Sequence, residues 1–235
     1  MTLLSIETST QVCSAALSID DKVIDHRINT EGSNHAALLP VYIEDLLQKA
    51  REKELKIDAV VLSEGPGSYT GLRIGTSTAK GLCYGMDIPL LVVPTLEIIA
   101  AAAFDLLPSK RPLALYPMID ARRMEVYTSR MVLNDTLEAA PVEARIITEE
   151  SSLEEDMEVY YFGDGAAKCQ KYLEQNRVHL LRDIIPDARY ICKLINMKQI
   201  SGQNIKKIDG KDLAYFEPFY LKEFVAAPSH IKGLN

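Results

Sequence analysis

The sequence has no run of eighteen consecutive apolar residues, which is about the length that a membrane-spanning helix needs. Residues 1–7 contain no lysine or arginine, and the acidic Glu7 follows the first apolar run directly. A signal peptide is therefore not expected. These absences predict a cytoplasmic protein with no membrane partner.

Cysteines and histidines are few and scattered. Cys13, Cys83, Cys169 and Cys192 form no CxxC pair, so a disulfide framework is not expected in a chain of this length without a secretory signal. The 4 histidines form no HxxxH or HExxH pair and lie near no cysteine at ligand spacing. We therefore predict no metal site.

The chain also has few positive charges. It contains 26 lysines and arginines and 33 acidic residues, so the net charge is −7. Nucleic-acid affinity depends largely on cations that neutralise phosphates, so this acidic chain is expected to be a poor RNA or DNA binder by itself. Lys206 and Lys207 are a local exception, but such a short run is usually a solvated face.

The apolar residues that are present follow the pattern of a globular α/β protein. Apolar segments separated by turn-forming residues predict three initial strands, and later segments alternate between helical and strand patterns. The predicted strands are 3–6, 13–19, 23–28, 59–62 and 90–93, and the predicted helices are 36–53, 69–86 and 96–106.

The pattern restarts after a proline-containing break at 108–112. Each half begins with an apolar strand that runs into an acidic residue, Glu7 or Asp120, which indicates an architectural repeat of two lobes, 1–106 and 107–235. The second half has predicted strands at 113–119, 125–133, 144–147 and 159–162, and predicted helices at 166–175 and 188–200.

A duplicated unit of three strands and helices is similar to the actin-like ATPase (ribonuclease H-like) fold, in which each lobe is a mixed sheet flanked by helices. Proteins of that superfamily carry an acid-x-Gly-Thr pattern around phosphate in the first hairpin turn. Here Glu7 is followed by Thr8-Ser9-Thr10, without the glycine that lets backbone N–H groups approach a phosphate. The turn is either a degraded phosphate site or an ordinary Ser/Thr-rich turn.

Residues 64–75, EGPGSYTGLRIG, are the most informative segment. The Gly-Pro-Gly turn is followed by Ser68 and Thr70, either of which can cap a helix. The free N–H groups of that helix start, with Arg73 one turn further on, are suited to an anion.

The same helix carries Gly71, Gly75 and Ala79 at every fourth position. A glycine inside a helix costs about 1 kcal/mol relative to alanine, so this stripe needs a compensating contact. The contact is either another helix at close approach or packing inside the chain's own lobe.

Residues 64–75 resemble the GPGSFTGLRIG signature of the bacterial TsaB (YeaZ) family. Three further segments, at 4–17, 119–127 and 217–221, are similar to the opening strands, the IDAR-x-EVY stretch and the EPxYL motif of that family, in the same order along the chain.

The resemblance implies a function. TsaB proteins work with a paralogue, TsaD, and an ATPase, TsaE, to transfer threonylcarbamoyl to the adenosine beside the anticodon of tRNAs that read codons beginning with A. TsaD carries the metal and the chemistry, and TsaB is the non-catalytic subunit that TsaD needs. The resemblance therefore implies contact with tRNA only through the complex, and a homodimer when TsaD is absent.

The chain lacks the ligands for the TsaD metal. In TsaD an HxxxH pair follows the strand after the glycine-rich helix, and the corresponding positions here are Thr95 and Ile99. Isoleucine has no donor atom and a threonine hydroxyl is a poor substitute for imidazole, and Glu97 between them is not a site by itself. We therefore expect a pseudo-enzyme with no catalytic residues, no metal and no cofactor of its own.

Three alternatives stay open at this point. One is a homodimeric scaffold of actin-like fold unrelated to tRNA. Another is a weak ATPase in which Glu7 and Asp120 hold Mg-ATP, opposed by Ser9 in place of glycine and by 121–123 in place of a phosphate loop, although 162–166 is similar to a nucleoside-binding turn. The third, and the least favoured, is a glycoprotease-like metallopeptidase.

Helix 36–53 carries a second apolar stripe, which a surface helix does not need for covering its own sheet. With helix 69–86 it is expected to form a four-helix bundle with a partner. The expected interface is Leu38, Val41, Tyr42, Asp45, Gly71, Leu72, Gly75, Thr76 and Ala79. Nucleotide or anion contacts, with nucleotide at the partner interface, are expected at Glu7, Ser9, Ser68, Thr70, Arg73 and Asp120.

Overall fold

The computed structural model describes residues 1–32, 34–173 and 175–222. Its first sheet opens with an antiparallel meander of β1 (Thr2–Glu7), β2 (Cys13–Ile19) and β3 (Lys22–Asn29). β1 and β2 are almost completely buried, whereas β3 is half-buried at the edge of the sheet. The predicted meander is therefore confirmed.

Parallel strands extend this sheet on the other side of β1. Helices cross between them, as the alternating apolar pattern predicts, and β4 pairs in parallel with both β1 and β5. The elements are α1 (His35–Glu52), β4 (Ala59–Ser63), α2 (Tyr69–Met86), β5 (Leu90–Val93) and α3 (Thr95–Ala103), with a 3-10 turn at Phe104–Leu106.

The second sheet is built around β6, which pairs in parallel with β11. The predicted single strand 125–133 is wrong, because it divides into β7 and β8, which pair with opposite halves of β6. The strands are β6 (Leu113–Asp120), β7 (Glu125–Thr128), β8 (Met131–Leu133), β9 (Leu137–Ala139), β10 (Glu143–Ile146), β11 (Glu158–Phe162) and β12 (Val178–Leu180).

The end of the described chain returns to the first sheet. A 3-10 turn (Ala167–Cys169) and α4 (Gln170–Leu173) cover the second sheet, and α5 (Arg189–Ile200), β13 (Lys206–Ile208) and α6 (Gly210–Tyr215) follow. β13 pairs with β5 and covers the edge of that strand. The predicted lobe 107–235 is therefore not one sheet-forming unit, since α5 and β13 pack on the first sheet.

Both sheets carry apolar side chains on two faces. In the first sheet, one face packs on α1 and α2, and the other packs on α3 and α5. In the second, one face packs on α3 and the other on the segment around α4. The prediction of two mixed sheets flanked by helices is confirmed. Within the described residues, no helix is long and apolar enough to cross a membrane.

Candidate functional site

The turn between β1 and β2 is the place where an actin-like protein would meet phosphate, and here it is buried. Glu7, Thr8 and Ser9 are 0%, 1% and 0% exposed. The backbone N–H of Ser9 donates to Oε1 of Glu7 at 2.5 Å. Oε2 of Glu7 and Oγ of Ser9 have no hydrogen-bond partner among the described residues. The polar side chains of the turn are therefore only partly hydrogen-bonded, and the turn does not face solvent.

The start of α2 closes this turn. The N–H of Ser68 donates to the carbonyl of Ser9 at 2.6 Å, and Oγ1 of Thr8 donates to the carbonyl of Gly71 at 2.9 Å. A Cβ atom on Gly71 would overlap the carbonyl oxygen of Thr8, and one on Gly75 would overlap Oγ1 of Thr8. Glycine is required at both positions because the helix lies directly on the turn.

The expected role of the stripe Gly71, Gly75 and Ala79 as a partner surface is wrong. Its members face their own lobe, and the two neighbours expected beside them, Leu72 and Thr76, are only 1% and 6% exposed. The contact that compensates for the helix glycines is internal. All five residues are covered by the chain itself.

Burial also sets the protonation of Glu7. Removal from solvent raises the pKa of this carboxyl, the polar groups of Ser63 on β4 and of Ser9 in the turn oppose the rise only in part, and the nearby Asp187 carboxylate adds to it. Asp187 is itself fully buried and pairs with Arg189 at 2.7 Å. The folded chain therefore favours neutral Glu7, which is a weaker ligand for a cation than a carboxylate.

The second acidic residue, Asp120, lies in a different environment. It is exposed, and its Oδ1 accepts from Nζ of Lys168 at 2.5 Å and from the N–H of Arg122 at 2.7 Å. The loop at 163–165 packs on the end of β6, because Cβ atoms on its glycines would overlap Met118 and Ile119. Asp120 is thus engaged in an ion pair.

The six predicted anion contacts do not form one site. Glu7 and Ser9 are buried, Asp120 is paired with Lys168, and Ser68 accepts from the N–H of Gly71 at 3.4 Å as the cap of α2. Thr70 and Arg73 are exposed, and the Arg73 guanidinium lies 5.3 Å from the centre of the Tyr69 ring. Thr70 and Arg73 are thus the exposed members that neither cap the helix nor form an ion pair within the described residues.

The positions that correspond to the TsaD histidines are part of the core. Oγ1 of Thr95 lies 2.7 Å from Oγ of Ser63, and Ile99 is fully buried between α3 and the second sheet. Glu97 forms an ion pair with Lys198 of α5 at 2.7 Å. Within the described residues, no group of three or more histidine, cysteine, aspartate or glutamate side chains is placed to hold a metal.

A groove lined largely by apolar side chains lies between α1 and α2 on the outer face of these helices. Its volume is about 430 Å³, and its lining includes Pro40, Ile43, Leu47, Gly81 and Leu82. Sequence reasoning missed this groove, because the glycine stripe was placed on the wrong face of α2.

Two glycines of α2 have no internal explanation. A Cβ atom on Gly81 or Gly85 would meet no atom of the described residues within 4 Å. With Ser77 they form an exposed stripe of small residues at every fourth position, and Tyr84 beside it is 86% exposed. The sequence does contain the pattern that predicts this exposed stripe. It is a second series of small residues, which begins two positions after Gly75.

The predicted stripe on α1 is divided between core and surface. Leu38 and Tyr42 are half-buried against the core of the first sheet, and Asp45 accepts from Nε of Arg27 on β3 at 3.1 Å. Val41 is 53% exposed. Most of this stripe is therefore explained by contacts with the first sheet, and Val41 is its exposed apolar member.

The segment 217–221 packs against the glycine-rich loop. The N–H of Phe219 donates to the carbonyl of Glu64 at 2.7 Å, and a Cβ atom on Gly65 would overlap the carbonyl oxygen of Phe219. The rings of Tyr69 and Tyr220 lie 5.0 Å apart. Two of the segments that carry the family resemblance thus meet in space, beside a groove of about 550 Å³.

Comparisons with known proteins agree with this architecture. Residues 22–227 match the model of the family described as TsaD, tRNA N6-adenosine threonylcarbamoyltransferase. The Haemophilus influenzae tRNA threonylcarbamoyladenosine biosynthesis protein TsaB is 27% identical, covering 96% of this chain and 95% of that protein. The TsaB protein of Bacillus subtilis is 38% identical over 54% of each chain.

A crystal structure from Pseudomonas aeruginosa, described as an uncharacterized protein with similarity to peptidase YEAZ, matches with a TM-score of 0.76 at 25% identity. The match covers 94% of this chain and 99% of that one. The fold is therefore the actin-like fold of two lobes. Matched along nearly its whole length, the chain belongs to the TsaB (YeaZ) branch of the threonylcarbamoyltransferase-related family.

Proposed function

We propose that this chain is the non-catalytic partner subunit required for transfer of threonylcarbamoyl to the adenosine next to the anticodon in tRNAs that read codons beginning with A. It acts in a complex with a TsaD-type paralogue and a TsaE-type ATPase, and pairs with itself when the paralogue is absent. The names of its TsaB relatives support a role for this chain in tRNA threonylcarbamoyladenosine biosynthesis.

One observation carries the docking part of this proposal: Gly81 and Gly85 are exposed in the middle and last turns of α2, with no described atom within 4 Å of where a Cβ would lie. Two such glycines cost about 2 kcal/mol relative to alanine, and no contact with another described residue offsets that cost. A helix of another subunit, approaching closely over the small stripe, would do so. The apolar groove beside α1 and the exposed Val41 and Tyr84 supply surface to bury in the same contact.

The support for a non-catalytic role comes from the polar residues that an enzyme of this fold would use. Glu7 and Ser9 are closed off by α2, and Asp120 is held by Lys168. Thr95 and Ile99 stand in the core. We propose accordingly that the chain supplies no catalytic group and no cofactor of its own. Any nucleotide at the partner interface would meet exposed residues such as Thr70 and Arg73.

The test places an arginine on the proposed docking face. Gly81→Arg should abolish pairing, both with the TsaD-type paralogue and with itself, because a long charged side chain cannot lie between close-packed helices. The variant should remain folded, since the position is open. Complex mass is measured by light scattering, and folding by thermal unfolding. Gln199→Arg, an exposed position on α5 with the same charge change, is the matched control.

The outcomes separate the alternatives. Unchanged complex mass for Gly81→Arg would move the docking face elsewhere. A chain that pairs only with itself and never with the paralogue would be the scaffold unrelated to tRNA. Hydrolysis of ATP by the purified chain, lost in Asp120→Ala, would instead support a weak ATPase.

A further inference from the structure

Two arginines at the tip of the β6–β7 turn have no visible structural task. Arg122 and Arg123 both adopt left-handed backbone conformations, with φ of 70° and 49°, which are costly for residues other than glycine. Both are exposed, and neither guanidinium has a hydrogen-bond or ion-pair partner among the described residues. Residues in sparsely populated backbone conformations cluster at functional positions, and here the two side chains are left free in the described part of the chain.

The C-terminal segment connects this turn to the start of α2. Nζ of Lys222 lies 2.5 Å from Oε2 of Glu125, whose N–H donates to the carbonyl of Arg122 at 3.1 Å. Tyr220 is two residues earlier, at most about 7 Å of extended chain away, and its ring lies beside Tyr69. Lys222 and Glu125 therefore link the segment that carries Tyr220 to the arginine turn.

Arg73 extends this linked group beyond the tyrosine pair, because its guanidinium donates to the Tyr69 hydroxyl at 2.6 Å. We name the linked group the cation–tyrosine stripe: Arg73, Tyr69, Tyr220, Lys222, Arg122 and Arg123. The charges of Lys222 and Lys168 are matched by Glu125 and Asp120, and Glu217 is exposed nearby. The three arginines have no carboxylate partner in the part of the chain that the structure describes.

Guanidinium groups without a carboxylate partner and tyrosine rings together suit a strand of RNA. Guanidinium is shaped for phosphate, and aromatic side chains stack on unpaired bases. An acidic protein segment would satisfy the arginines but would make no particular use of the tyrosine faces. Because the whole chain carries −7, general attraction to RNA is absent and binding would be confined to this stripe.

We infer that the cation–tyrosine stripe is a direct RNA contact of the assembled complex, with Arg122 and Arg123 on phosphates and the tyrosine pair against a base. This inference rests on the proposed function, since it assumes that tRNA reaches the complex. It adds that this subunit contributes to holding the tRNA, as well as supporting its partner.

The test uses the complex of the full chain with its TsaD-type paralogue, and an unmodified transcript of a tRNA that reads an A-initial codon. Binding is measured over a series of salt concentrations. The double variant Arg122→Gln/Arg123→Gln should raise Kd by about tenfold at low salt. It should also reduce the slope of log Kd against log salt by about 1.5, the loss of two phosphate contacts.

Two comparisons guard against a structural explanation. Lys53→Gln/Lys56→Gln removes the same charge from exposed positions that precede β4, whereas Tyr69 and Arg73 follow the other end of that strand. This variant should leave Kd and slope unchanged. Tyr220→Leu should raise Kd about fivefold or more without changing the slope, because a stacking contact releases no ions. Tyr220→Phe should restore binding.

The outcomes keep this inference separate from the proposed function. If the wild-type chain forms no complex with the paralogue, the proposed function fails. If the complex forms and the arginine variant binds tRNA with unchanged Kd and slope, the stripe is not an RNA contact, while the proposed function stands. If the arginine variant loses the complex and the lysine control keeps it, the stripe is a protein interface and the RNA inference is wrong.

Discussion

Alanine at Gly75 and alanine at Gly81 should change the free energy of unfolding in opposite directions. Both positions lie in α2, where replacing glycine by alanine gains about 1 kcal/mol of helix propensity. At Gly81 a Cβ atom meets nothing within 4 Å, so the full gain is expected. For a chain of this size the gain corresponds to a rise in Tm of about 2–4 °C.

At Gly75 the same methyl group meets the β1–β2 turn. Its Cβ would overlap Oγ1 of Thr8 and lie 3.2 Å from Cδ1 of Leu62. Overpacking of this kind costs about 1–3 kcal/mol, so we expect Gly75→Ala to be less stable than the wild type by up to about 2 kcal/mol after the propensity gain. The difference between the two alanine variants is then about 1–3 kcal/mol.

A double-mutant cycle with Thr8→Ala identifies the cause. Thr8→Ala loses the hydrogen bond to the carbonyl of Gly71, worth about 1 kcal/mol, but it also removes the atom that Gly75→Ala would strike. The double variant should therefore be more stable than the sum of the single changes by about 1–2 kcal/mol. Gly81→Ala should show no coupling with Thr8→Ala.

The assay is urea unfolding at low protein concentration, so that self-association does not add to the stability. A stabilised Gly75→Ala, a destabilised Gly81→Ala, or equal coupling of both to Thr8 would refute the assignment of one glycine face to the core and the other to solvent.

Two further predictions concern buried charge. Because burial raises the pKa of Glu7 from its usual 4.5, the stabilising effect of its protonated form is complete below about pH 4.5 and is lost as pH rises through the raised pKa. The free energy of unfolding of the wild type should fall across that pH window, and Glu7→Gln should lessen the fall. Identical dependence of the two unfolding free energies on pH would contradict the raised pKa. Lys198→Met leaves Glu97 half-buried without its cation and should cost about 2 kcal/mol in urea unfolding. Adding Glu97→Met should recover part of that loss, and a single variant as stable as the wild type would show that the ion pair contributes nothing.

The local pattern of the sequence was sufficient for most of the fold. Runs of apolar residues between turn-forming residues placed the first three strands within one or two residues of their observed ends. The helical periodicity gave α2 its observed bounds, since periodicity depends only on neighbours along the chain. The short strands β9, β12 and β13 and helix α6 were not predicted, because pieces of 3–6 residues depend on what they pair with.

The motifs of the sequence also determined the family, because the glycine-rich segment and the segments at 119–127 and 217–221 are recognisable as short strings. Which way a side chain faces was a different matter. Gly75 and Gly81 have the same local surroundings along the chain, a helix with small residues at every fourth position. The tertiary structure alone places Thr8 against Gly75 and leaves the space beside Gly81 open.

Burial of the acidic turn was likewise decided by tertiary structure. Glu7, Ser9, Ser68 and Asp120 have side chains that can meet an anion or a metal, and the sequence grouped them on that basis. The structure separates them, because α2 lies on the first turn and Lys168 holds the second acid. Residue types determine what chemistry is available, but packing between distant parts of the chain determines which of those groups a ligand or a partner can reach.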